Sequence, residues 1–103
     1  MRIIEQLSDK IAKEIDCAEE YAKCALMYKD ERPLLAEVYY RIANEKISHM
    51  NLLHDQIISI IDEYRKEKGD PPEAMQLLYD ILHRKHIDHV AAVKGMLSLY
   101  KES

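Results

Sequence analysis

The chain has very little turn material. Glycine occurs twice and proline three times in 103 residues, which excludes a many-stranded β fold. Long apolar runs are also missing. The longest are of the kind Ile57-Ile58-Ser59-Ile60-Ile61, whereas a membrane-spanning helix needs about 20 apolar residues, so no spanning segment is expected. The opening MRIIEQLSDK becomes charged too early for a signal peptide, and a cytoplasmic location is the default expectation. The formal net charge is −4, with acidic and basic residues interleaved. Without a basic stripe to contact phosphates, nucleic acid is not an expected partner. Cys17 and Cys24 are the two cysteines. On one helix they stand roughly 10.5 Å apart, too far for a disulfide with each other. They form no CxxC pair, so a thiolate zinc site is unsupported and the reading is two buried free thiols. A glycine-rich phosphate loop, HExxH and GxSxG are absent too.

What is present is helix. Hydrophobic residues make up 48% of the chain and charged residues 33%, the balance of amphipathic helices around one core. Two stop-and-restart signals divide it. At Asp30-Glu31-Arg32-Pro33, Asp30 is the expected cap and Pro33 fits a first helical turn. At Lys68-Gly69-Asp70-Pro71-Pro72-Glu73, Gly69 suits C′, Asp70 the N-cap, Pro71 N1, and Glu73 the N3 place of a capping box.

Three helices result, at about 2–29, 31–68 and 71–101, within a single domain spanning 1–103. Their apolar stripes are expected to run Ile4, Leu7, Ile11, Glu14, Ala18, Tyr21, Ala25, Tyr28; then Leu35, Val38, Ile42, Glu45, His49, Leu52, Gln56, Ile60; then Met75, Tyr79, Leu82, His86, His89, Val93, Met96, Tyr100. Short connections make neighbours antiparallel. The fold class is therefore all-α, an up-down-up bundle of three long antiparallel helices. Ala18, Ala22 and Ala25 offer a face for close helix approach, and Gly95 is expected to mark another. With three helices only, some apolar surface on Ile47, Met50, Ile58 or Ile61 is expected to stay uncovered, and a homodimer would bury it.

Four residues on these stripes do not belong in a plain core: Glu14, Glu45, His49 and His89. A lone buried carboxylate costs several kcal/mol, so the question is whether they meet. Counting outward from the two turns brings Glu14 level with about residue 47, and His49 level with about residue 91. All four then share one layer, and two carboxylates with two imidazoles are a ligand set for iron, manganese or zinc. The structural alternatives stand beside this. Glu14 and Glu45 at the stripe edge would pair with Lys46 or Lys85, and His49 would bond to Glu14 or a tyrosine. His54, His83, His86 and His89 would largely face solvent. Tyr21, Tyr40 and Tyr100 fall near one level and read as a packing layer.

The segment Glu14-Ile-Asp-Cys-Ala18-Glu-Glu-Tyr21 resembles the first helix of rubrerythrin and ferritin-like proteins, and Tyr40-Arg-Ile-Ala43-Asn-Glu45-Lys46-Ile-Ser-His49-Met is similar to their Ala- and Glu-rich His segment. The resemblance covers about residues 10 to 60. It implies a ferritin-like bundle, completed by oligomerisation, with Glu14 and His49 as metal ligands and Glu45 in the family Glu's place after a local shift. His89 joins this expected ligand set through the level count, since neither His86 and His89 nor Asp80-x-x-His83 on the third helix matches the family motif. The resemblance also implies iron or manganese as cofactor, with redox or oxygen chemistry if active. Two departures stand against it. The family's Glu three residues before the His is Lys46 here, and the family uses four helices with a second Glu-x-x-His. The competing function is a non-enzymatic assembly or partner-binding module whose Glu and His residues form a structural network.

Overall fold

A computed structural model describes residues 2–102; Met1 and Ser103 lie outside the described residues. Three helices account for nearly all of them: α1 (Arg2–Tyr28), α2 (Pro33–Lys68) and α3 (Glu73–Glu102). They run up, down and up, with no strand among the described residues. At 1.5 Å per residue, the 36 residues of α2 extend about 54 Å, close to the 56 Å long axis of the molecule. The two shorter axes are 19 and 17 Å, and the radius of gyration is 16.5 Å, against about 13 Å for a compact domain of this length. The molecule is a rod. None of its described helices is long and apolar enough to cross a membrane.

The helix ends fall close to the sequence signals, but the caps are displaced. Pro33 does open α2, yet Arg32 and not Asp30 occupies the N-cap position, and it makes no side-chain cap bond. The Arg32 carbonyl accepts from the Ala36 N–H at 2.9 Å, which starts the α2 ladder. Gly69 closes α2 as expected, with φ +80° and its N–H donating to the Arg65 carbonyl at 3.0 Å. A side chain there would be strained. The next helix starts two residues later than expected. The Pro72 carbonyl accepts from the Gln76 N–H at 3.0 Å, so Pro72 takes the N-cap place and Glu73 is the first helical residue rather than N3. Two consecutive prolines explain the delay: each forces the residue before it out of the helical region.

Alanine builds the tightest seam. Ala18, Ala22 and Ala25 of α1 and Ala36 and Ala43 of α2 are all essentially without exposure. Small side chains let the two backbones approach closely in the part of the hairpin nearest the α1–α2 turn. Ile11 and Ile15 of α1 and Val93 of α3 are the bulkiest fully buried side chains, and one hydrophobic cluster draws on all three helices. The α3 helix lies chiefly against α1 and makes few contacts with α2. Its fully buried residues, Val90, Val93 and Leu97, all lie in its second half.

The stripes of α1 and α3 lie close to their expected faces, but that of α2 is rotated. Its buried side is Ala36, Ala43, Ile47 and Ile57, with Tyr40, Met50, Ile60 and Ile61 packed against it. Leu35, Val38, Glu45, His49, Leu52 and Gln56, expected inside, are exposed. Apolar surface does stay uncovered on this helix where expected: Ile58 is exposed, at 43%, and Met50 and Ile61 are half-buried, while Ile47 is buried. The cysteines are free thiols, half-buried rather than fully buried. Gly95 marks no close approach, for a Cβ added there would meet nothing within 4 Å.

Candidate functional site

The four polar residues read from the stripes sit near one height of the rod but on different sides of it. Glu14 lies on the flank of α1 that faces α2, half-buried. Its Oε2 is 3.4 Å from His49 Nδ1 and 3.5 Å from Lys46 Nζ. One carboxylate thus ties together two side chains three residues apart on α2. The side chain of His49 is about half exposed, against a quarter for Glu14. Lys46, which stands where the family pattern has its metal-binding Glu, supplies positive charge to the carboxylate. This is the pairing alternative weighed for Glu14 and His49.

His89 belongs to another flank. Its Nε2 lies 2.5 Å from Glu19 Oε2, and its Nδ1 lies 3.9 Å from Asp16 Oδ1. Glu19 also binds Lys23, one turn along α1, at 2.9 Å. Hydrogen bonds from Lys23 first and His89 second hold the Glu19 carboxyl below its ordinary range. Glu14 and Glu19 are five residues apart, which is about 140° around a helix. The carboxylate that faces α2 therefore cannot also face α3. Glu45 stands on the exposed outer side of α2, away from both pairs. The structure brings Glu14 and His49 together and does not bring Glu45 or His89 to them. Among the described residues, no group of three or more His, Cys, Asp or Glu side chains is arranged to hold a metal ion.

Lys46 is the partner expected for a Glu14 at the stripe edge. Asp16 and Glu19 are partners that stripe reading passed over, because both lie off the apolar stripe of α1.

The remaining histidines are not largely solvent-facing. His54, His83 and His86 are half-buried and line an open cleft of about 410 Å³ with Ile11, Met50 and Val90. Tyr79 stacks on His83 at 5.7 Å between ring centroids. Of the three tyrosines expected to form one layer, Tyr40 and Tyr100 stack at 4.8 Å, while Tyr21 packs on Tyr39 at 5.9 Å. The Tyr100 hydroxyl donates to Glu37 at 3.2 Å, and Lys29 donates to the Tyr100 carbonyl. These contacts pin the C-terminal end of α3 to the turn between α1 and α2.

The site is a belt of partly exposed ion pairs in which Glu14 joins α1 to α2 through Lys46 and His49 and Glu19 joins α1 to α3 through His89. Comparison of the chain with protein-family models, with curated proteins and with solved structures gives no match, so the likeness to the rubrerythrin and ferritin-like pattern rests on the residues quoted for it alone.

Proposed function

We propose that the chain is a non-enzymatic helical assembly module, with its Glu/His network serving to fix helix register and its outer apolar faces serving to bind a second copy. One observation carries this reading: large apolar side chains stand uncovered in contiguous groups. On α2, Leu34, Leu35 and Val38 are 85%, 38% and 49% exposed, and their 3–4 spacing puts them on one face. On α3, Leu77, Leu78 and Ile81 are 60%, 47% and 57% exposed with the same spacing. Single exposed leucines are ordinary on a protein surface, but grouped ones mark an interaction face. A slender rod with few α2–α3 contacts also leaves its core one-sided, which a pairing of two rods corrects.

Within this reading the ionic pairs act on register. Glu14 holding Lys46 and His49 sets α2 along α1, and Glu19 holding His89 sets α3 along α1. Each is partly exposed and contributes at most about 1 kcal/mol, which suits alignment better than stabilisation.

Light scattering on the purified chain tests the assembly. The expected result is a dimer that Ile81→Lys or Val38→Lys converts to a monomer of unchanged helix content. A wild-type monomer at high micromolar concentration would remove self-association. The same preparation, titrated with iron and manganese, tests the oxygen-chemistry alternative. Stoichiometric binding lost in His49→Ala would favour a metal centre at Glu14 and His49 over a register device.

A further inference from the structure

In the half of the rod nearest the α2–α3 turn, α3 has no fully buried side chain. Much of what spans from α2 to α3 there is polar. His54 Nε2 lies 3.0 Å from His83 Nδ1. The two rings are almost parallel, inclined by 13° with centroids 4.6 Å apart. His86, one turn further along α3, lines the same cleft. Three half-buried imidazoles are an expensive way to fill a helix seam, since each brings two ring nitrogens that need partners and aliphatic side chains bring none.

We propose that His54 and His83, joined by His86, bind one divalent transition-metal ion of the zinc class, and that the ion clips α3 to α2. The geometry carries the argument. Two nitrogens bound at about 2.0–2.1 Å to one tetrahedral ion stand roughly 3.3 Å apart. The His54 and His83 nitrogens already lie 3.0 Å apart, sharing one N–H, so the ion enters with an opening of a few tenths of an ångström once the donating ring moves that proton to its other nitrogen. As the side chains stand, two imidazoles meet and no third donor among the described residues joins them. His83 and His86 are spaced i, i+3 and share a face of α3, and a change of rotamer on ion binding brings His86 to the same point. The cleft is open to solvent, and water completes the shell. No carboxylate or thiolate lines this cleft; its other polar lining is Asn51 and Lys94, so the ion is held by imidazole alone against one neighbouring positive charge. An all-imidazole donor set favours zinc, copper(II) and nickel(II) over manganese and iron(II), so this site is distinct in residues and in metal from one built on Glu14 and His49.

Protonation state agrees with the geometry. Burial first, and the neighbouring imidazole of His83 second, hold both His54 and His86 below the ordinary imidazole value. An imidazole held low offers its lone pair to a cation with less competition from protons. Because the ligands come from two helices that otherwise touch little, the ion binds only the docked arrangement and stabilises it.

The test uses the full chain without a histidine tag, stripped with a chelator and titrated with zinc by calorimetry. The expected result is one zinc per chain and a melting temperature higher by on the order of 10 °C at saturating zinc. His54→Ala and His83→Ala should each weaken binding at least roughly tenfold, while His49→Ala and His89→Ala bind as the wild type does. Imidazole NMR of the unmutated chain removes any dependence on how the variants fold: zinc should move the ring signals of His54, His83 and His86 and leave His49 and His89 in place. Zinc shifts on His49 or His89 instead, undiminished affinity in His54→Ala and His83→Ala, or no zinc binding at all would each overturn the site.

Discussion

Replacing Gly95 with alanine should stabilise the chain. Gly95 lies well inside α3, seven residues short of its last residue Glu102, so it is no cap. Its backbone is ordinary helix, since the positive-φ glycine is Gly69, and a Cβ added at Gly95 meets no atom within 4 Å. Nothing opposes the side chain, and the intrinsic helix preference of alanine is then free to act. That preference is about 0.8–1.0 kcal/mol in a helix interior, part of it from the lower entropy of the unfolded chain. For a domain of this size the melting temperature should rise by about 3–8 °C, and the urea midpoint by roughly 0.3–1 M with an unchanged slope. Thermal and urea unfolding followed by circular dichroism measure both. A loss of stability would refute the reasoning, for it would mean that a neighbouring surface approaches Gly95 in solution. The exposed residues beside it, Ala91, Ala92 and Ser98, are small enough to admit one. Repeating the unfolding across protein concentrations separates the two effects, because a partner on this face would make the loss concentration-dependent.

The rotated face of α2 gives a paired expectation. Ala43→Leu, at a position with no exposure, should cost about 1–3 kcal/mol by overpacking the α1 seam. Leu52→Ala, at 66% exposure and outside the proposed assembly face, should change stability by less than about 0.5 kcal/mol; urea unfolding of both variants decides whether the helix faces the way described. Glu14→Gln and His49→Ala should each cost under about 1 kcal/mol, and a double-mutant cycle should give a coupling of the same small size. A coupling above about 2 kcal/mol would mark the pair as a buried structural unit. Acid should weaken the fold before any carboxylate titrates. His54 and His86 have folded values below the ordinary imidazole value through burial and then His83, so the unfolded chain binds more protons and stability rises with pH. It is full above about pH 7 and declines as pH falls below about 6.5. A melting temperature flat between about pH 7.5 and 5.5 would contradict this, and His54→Gln with His86→Gln should flatten a sloping profile. Glu19 acts lower: its depressed carboxyl adds stability above its unfolded value that is lost as pH falls through the folded one.

Axial position was legible throughout the chain, and angular position was legible for α1 and α3 but not for α2. The turn signals at Asp30–Pro33 and Lys68–Glu73 set helix number, direction and height. Counting from them places Glu14 level with about residue 47, and its partners are Lys46 and His49. It also places His49 level with about residue 91, and the observed α2–α3 contacts, His54 with His83 and Tyr40 with Tyr100, keep the same register. The face of α2 went astray because periodicity weighs bulk. The helix puts its alanines inside and leaves Leu34, Leu35, Val38 and Leu52 outside, so the largest residues trace the wrong stripe. A shift of one residue turns a helix by about 100°, which suffices to send Glu45 and His49 out of the core and to dissolve the four-residue layer. Close packing of small residues against small residues is a property of two helices together, and neither helix displays it alone.

The uneven attachment of α3 has a kinetic consequence. Its fully buried residues are confined to Val90–Leu97, and its far end is anchored through Tyr100 to Tyr40 and Glu37. The stretch before Val90 rests on half-buried side chains alone. Peeling should therefore begin at Glu73 and stop near Val90, leaving the α1–α2 hairpin closed. Amide protons of the first four turns of α3 should exchange through that partial opening, at a lower free energy than global unfolding. Those of the alanine seam should wait for the whole molecule to open. The chain is in this sense a zipped hairpin with a hinged third arm, and the hinged portion carries His83 and His86.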